Sequence, residues 1–95
     1  MTTINRVELC GAVIKPPKVQ VNKNTGVKYC TFTLEIPSDS GSDFPNCVAY
    51  KDMVDVVCKA ARRGMLHICG VLRTYHPRVD GIKRTEVLIS QVVKD

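Results

Sequence analysis

The sequence predicts an all-β fold, a small barrel of five strands with one α-helix between strands three and four. Three observations carry this expectation. Most of the chain alternates apolar and polar residues with the period of a strand. One stretch, 52–64, breaks that alternation with apolar residues at helical spacing. The break falls after three strand-like stretches and before two more, an order that is hard to place in a sandwich or a helical bundle. A small closed barrel accommodates it, with the helix as a plug. At 95 residues there is room for one modest core, so 1–95 reads as one domain.

The elements follow in order. Over 6–13, Val7, Leu9, Gly11 and Val13 fall on one side, with Arg6, Glu8, Cys10 and Ala12 on the other. Lys15-Pro16-Pro17-Lys18 cannot sit in a central strand and predicts a bend. Pairing resumes at 19–21, and Asn22 to Gly26 has turn chemistry. A second strand over 28–36 points Cys30, Phe32, Leu34 and Ile36 inward and Tyr29, Thr31, Thr33 and Glu35 outward. The stretch 37–43 reads as a polar loop. A third strand ending at Tyr50 puts Phe44, Asn46, Val48 and Tyr50 on one face; small Cys47 and Ala49 suit a narrow interior.

For the helix, Asp52 is the expected N-cap, with Asp55 near the positive end of the dipole. Met53, Val56, Val57 and Ala60 form the expected core stripe, and Gly64 the C′ stop. Arg62 and Arg63 complement the dipole at its negative end. A fourth strand over 65–75 directs Leu66, Ile68, Gly70 and Leu72 inward, leaving His67 on the surface. A hairpin over 76–84 carries the turn signal Asp80-Gly81, and the last strand covers 85–93. Three strands, a helix and two strands, with a proline-broken first hairpin and a long fourth-to-fifth hairpin, is the layout of an OB-fold. That fold binds oligonucleotides and oligosaccharides with its second and third strands and the loops joining strands one–two and four–five.

Composition excludes several classes. No apolar run approaches a membrane span, and no signal-peptide layout opens the chain, so no membrane partner and a cytoplasmic location are expected. The five cysteines are odd in number and none is in C-x-x-C spacing; neither His67 nor His76 completes a zinc site. They read as small buried hydrophobes in a reducing compartment, and no metal, cofactor or catalytic residue is expected.

The positive charge is localised. Residues 15–28 hold Lys15, Lys18, Lys23 and Lys28 and no acid; residues 73–84 hold Arg73, Arg78, Lys83 and Arg84 against Asp80 alone. These two hairpins together exceed the net +5 of the whole chain, and an OB-fold uses both for its ligand. Single-stranded nucleic acid also requires rings on which bases stack. Phe44, Tyr50 and Tyr75 fall on outward faces and are the expected platforms, ahead of Tyr29. With aromatic residues only 5% of the chain and no Trp, backbone charge is expected to outweigh stacking.

The stretches NRVELCGAV, YCTFTLEI, NCVAYKDMVDVVCKAARRG and GVLRT resemble, in order, the bacterial single-stranded DNA-binding protein family. The resemblance spans nearly the whole chain and is most specific in its middle third. It implies sequence-independent binding of single-stranded DNA in replication, recombination or repair, without catalysis. It also implies a homodimer or homotetramer paired through first strands, and it matches Tyr50 and Phe44 to the family's stacking aromatics. The family's tryptophans have no counterpart beyond Tyr75 and His76, and no acidic tail follows Lys94-Asp95. Both departures are shared by tailless primosomal relatives of the PriB type, which implies the alternative of a replication-restart adaptor with protein partners; the sequence equally reads as a DNA-binding core cut from a longer protein.

Overall fold

The computed structural model describes residues 2–75 and 83–94, with Tyr75 described in its backbone alone. Seven strands and one helix follow in the order β1 (Val7–Val13), β2 (Lys18–Val21), β3 (Lys28–Ser38), β4 (Gly41–Asp43), β5 (Asn46–Tyr50), α1 (Asp52–Ala61), β6 (Met65–Tyr75) and β7 (Arg84–Val92). Five of the strands close a circuit. β1 pairs antiparallel with β6, β6 with β7, β7 parallel with β5, and β5 antiparallel with β3. β3 then returns to β1 through Ala12 opposite Glu35 and Val13 opposite Leu34. This is the OB-fold barrel with its helix between the third and fourth barrel strands. β2 and β4 are additions to the flanks of β3.

The interior follows the alternation. Cys30, Phe32 and Leu34 of β3 meet Cys47 and Ala49 of β5, Leu66 and Ile68 of β6, and Val87 and Ile89 of β7. Closure requires a close approach at Gly70, where a Cβ would collide with the carbonyl of Leu88. Beside it the register slips: Cys69 faces Gln91 but Gly70 faces Ile89, a bulge at Ser90. The bulge moves the inward phase of β7 from Val87 and Ile89 to Val92, which packs against the core.

Several expectations need correction. The stretch 37–43 is a hairpin rather than a loop: Ile36 faces Asp43 and Ser38 faces Gly41, in the same register in which Thr33 faces Asn46. Its arm β4 is exposed throughout, so it has no apolar face to betray a strand, and Gly41 turns it at φ 137°. In α1 the buried residues are Val54 and Val57, while Val56 is 44% exposed. Val56 lies about 200° around the helix from Val54 and cannot share its face. Asp52 is the first helical residue rather than the cap; Lys51 holds the N-cap position without a side-chain bond. The C-cap is Arg62, so Gly64, at φ 83°, lies one residue beyond C′.

Leu72 is 50% exposed rather than interior. β1 pairs with β6 only as far as Gly70, opposite Val7. Beyond that point the Asn5 side chain replaces the strand, donating to the Leu72 carbonyl at 2.7 Å and accepting its N–H at 2.8 Å. The cysteines divide as well. Cys30 and Cys47 are buried, but Cys10 is exposed and Cys69 partly so, both on the outward phase of their strands, while Cys58 of α1 is partly buried against the core. No helix among the described residues is long and apolar enough to cross a membrane.

Candidate nucleic-acid interface

The outward face of β3 and β5 carries the polar and aromatic half of the alternation. Tyr29 stands directly opposite Tyr50, with ring centroids 6.0 Å apart and planes tilted by 35°. Cross-strand pairs at this spacing place two rings side by side on one surface. Each phenol is anchored. The Tyr29 hydroxyl donates to Gln20 Oε1 of β2 at 3.0 Å. The Tyr50 hydroxyl accepts from Arg73 Nη2 of β6 at 2.6 Å, with the guanidinium 5.2 Å from the ring centroid, within cation–π range.

Arg73 is itself held by Glu86, its cross-strand partner on β7: Nε donates to Oε1 at 3.0 Å and Nη2 to the same oxygen at 2.5 Å. The bond to Tyr50, and then Glu86, hold the guanidinium still more firmly charged than usual. With Glu86 only 15% exposed, this pair fixes Tyr50 and leaves Arg73 little freedom to follow a ligand. Arg73, expected as a direct nucleic-acid contact, is thus spent in part on positioning the ring.

Around these rings lies a groove. One concavity of about 370 Å³ is bordered by Lys15, Pro16 and Lys18 on one bank and Arg84 on the other, with Thr33 and Asn46 between. Thr33 Oγ1 donates to Asn46 Oδ1 at 3.1 Å, tying the strands across its floor. A second concavity of about 280 Å³ adjoins it, sharing Thr31 and Glu86, and ends at Tyr29 and Tyr50. Val48, buried although it belongs to the outer face, lines this second part. Lys15 and Lys18 of the first basic segment and Arg84 of the second, far apart in sequence, therefore face each other across one groove closed by an aromatic pair.

The remaining expected residues divide. Phe44 is 53% exposed and precedes Asn46 by two residues, on the same outward phase. Lys83 is exposed just before β7. Lys28 is turned elsewhere: it shares the inward phase of Cys30, and its Nζ pairs with Asp55 Oδ1 of α1 at 3.0 Å. Arg78, the Asp80-Gly81 turn and the Tyr75 side chain lie outside the described residues. Tyr29, ranked below the other rings by sequence, is the direct neighbour of Tyr50; the signal was its outward phase on β3. Glu86 and Gln20 were not foreseen, since only the strand register shows whom they meet.

Burial pushes the Cys30 thiol up to about 11 and Cys47 to about 12, so neither is a thiolate near neutral pH. His67, expected to be idle, lies 2.6 Å from Glu8 Oε2 through Nε2. Among the described residues no cluster of three or more metal-ligating side chains occurs.

Several solved structures share this architecture. A small single-stranded DNA-binding protein from Mycoplasma pneumoniae superposes with a TM-score of 0.72 at 20% identity, over 97% of this chain and 94% of that one. The SSB domain of a Synechococcus protein gives 0.75 at 15%, over 97% of both chains. The Plasmodium falciparum SSB, solved in complex with single-stranded DNA, gives 0.71 at 26%, over 93% of this chain and 88% of that one. No curated protein sequence matches the chain. The family model of the single-strand binding proteins matches residues 4–94, essentially the whole length. The chain belongs to the single-strand binding protein family, whose members bind rather than catalyse.

Proposed function

We propose that the protein binds single-stranded DNA without sequence preference, in the groove between the two basic segments. The observation that supports this most is their convergence: Lys15 and Lys18 on one bank and Arg84 on the other, with Tyr29 and Tyr50 closing the groove. The banks neutralise phosphates, and the ring pair offers a stacking surface that accepts any base. Family membership and the DNA-bound Plasmodium structure agree with this reading.

Such a protein serves replication, recombination or repair in the cytoplasm, and acts as a homodimer or homotetramer paired through β1. The test is a titration of labelled oligo(dT) and of a duplex of equal length at several salt concentrations. The expected result is preference for the single strand, with log affinity falling against log salt by about 0.7 per neutralised phosphate. Equal affinity for duplex, or no salt dependence, would overturn the reading. Light scattering with and without oligo(dT) measures the assembly. A dimer that also captures restart proteins would favour the adaptor alternative over the strand-coating one.

A further inference from the structure

Among the described residues one non-glycine residue holds a positive φ: Lys51, at φ 55° and ψ −127°. Any residue with a Cβ is crowded there, and glycine is the residue that fits. The fold imposes the conformation from both sides. The Lys51 N–H donates to the Lys28 carbonyl at 2.8 Å, and its carbonyl accepts from Val54 N–H at 3.1 Å, turning β5 into α1. The side chain gives the helix no capping bond in return. A lysine at this point strains the backbone without serving the junction it strains, a pattern that accompanies function.

The surroundings indicate what that function is. Lys51 follows Tyr50 directly and borders a shallow concavity of about 490 Å³, together with Tyr50, Val71, Arg73, Leu88 and Ser90. Val71 and Leu88 are a cross-strand pair on β6 and β7, half-buried and apolar although they lie outside the core cluster. An apolar pair flanked by a ring and two cations suits a nucleotide, with the base against Val71 and Leu88 and the phosphate toward the ammonium. Tyr50 lines both this concavity and the one that holds Tyr29, so the two are continuous.

We infer that a further nucleotide subsite lies beyond Tyr50, on the outer face of β6 and β7, with Lys51 as its phosphate ligand. The strand leaving the tyrosine pair then crosses β6 and β7 instead of following α1. This rests on the single-strand reading above, and the experiment separates the two. Wild type, Lys51→Gly and Lys51→Gln are each titrated with oligo(dT) over a range of salt and melted without DNA. Lys51→Gly relieves the strain and is expected to melt several degrees higher, which shows that it is folded. Both variants are expected to bind about threefold to tenfold more weakly at low salt, with a slope shallower by about 0.7. Wild-type affinity and slope in both variants overturns the subsite while leaving the groove intact. Weaker binding with an unchanged slope overturns the phosphate contact. A wild type that ignores oligo(dT) overturns both readings together.

Discussion

Along β3, adjacent residues live in two environments. Cys30, Phe32 and Leu34 are sealed inside the barrel, whereas Tyr29, Thr31 and Thr33 face the groove. β5 repeats the division, with Cys47 and Ala49 inside and Asn46, Val48 and Tyr50 outside. The inner face is held by packing alone, since small and branched apolar side chains fill the space. The outer face is held by named polar bonds: Gln20 to Tyr29, Arg73 to Tyr50, Glu86 to Arg73, Thr33 to Asn46. One backbone thus carries a surface that must not change and a surface arranged to receive a partner. Substitutions on the two faces should fail in different assays.

The largest effect is expected from the inner face. Leu34→Ala, at a fully buried site, should destabilise by about 2–5 kcal/mol in urea unfolding, and should weaken DNA binding only as far as it unfolds the protein. Tyr50→Ala comes next, on the outer face. It should cost about 1–3 kcal/mol of affinity for oligo(dT) while leaving the salt slope nearly unchanged, because it removes a ring and no charge. Lys18→Gln combined with Arg84→Gln inverts that signature. The slope should flatten by up to about 0.7 for each phosphate no longer neutralised, with little change in unfolding midpoint. The smallest effect is expected from Lys28→Ala. Its ammonium faces Asp55 on an exposed part of α1, so about 0–1 kcal/mol of stability and no change in salt slope should follow.

The thiols offer an independent check of the same division. Burial raises Cys30 and Cys47 above their unfolded values, so the native state keeps protons that the unfolded chain releases. Their contribution to stability is complete below about pH 9 and declines as the pH rises toward 11 and 12. At neutral pH a thiol reagent should modify exposed Cys10 readily and reach Cys30 and Cys47 only on unfolding.

Much of this was legible in the sequence, for a physical reason that also marks its limits. Strand alternation records which residues the barrel buries, so β1, β3, β5 and the first half of β6 could be read directly. Leu72 could not, because its phase is inward but the wall beside it ends at Val7. The helix has apolar residues at 53, 54, 56, 57 and 60, enough for two overlapping stripes, and only docking selects Val54 over Val56. Lys28 shows two signals in conflict. Counting charge assigned it to the binding surface, while its phase with Cys30 pointed it away, and phase prevailed. Arg73, Glu86 and Tyr50 form a unit only through strand register, which a single sequence does not contain.

The most direct test of the groove is amide chemical-shift mapping of the labelled protein titrated with oligo(dT). The groove account predicts the largest shifts at Lys18, Tyr29, Thr31, Tyr50 and Arg84, with Lys59, Arg62 and Arg63 at the far end of α1 nearly still. Large shifts at those helix cations, with a silent Tyr29 and Tyr50, would contradict it.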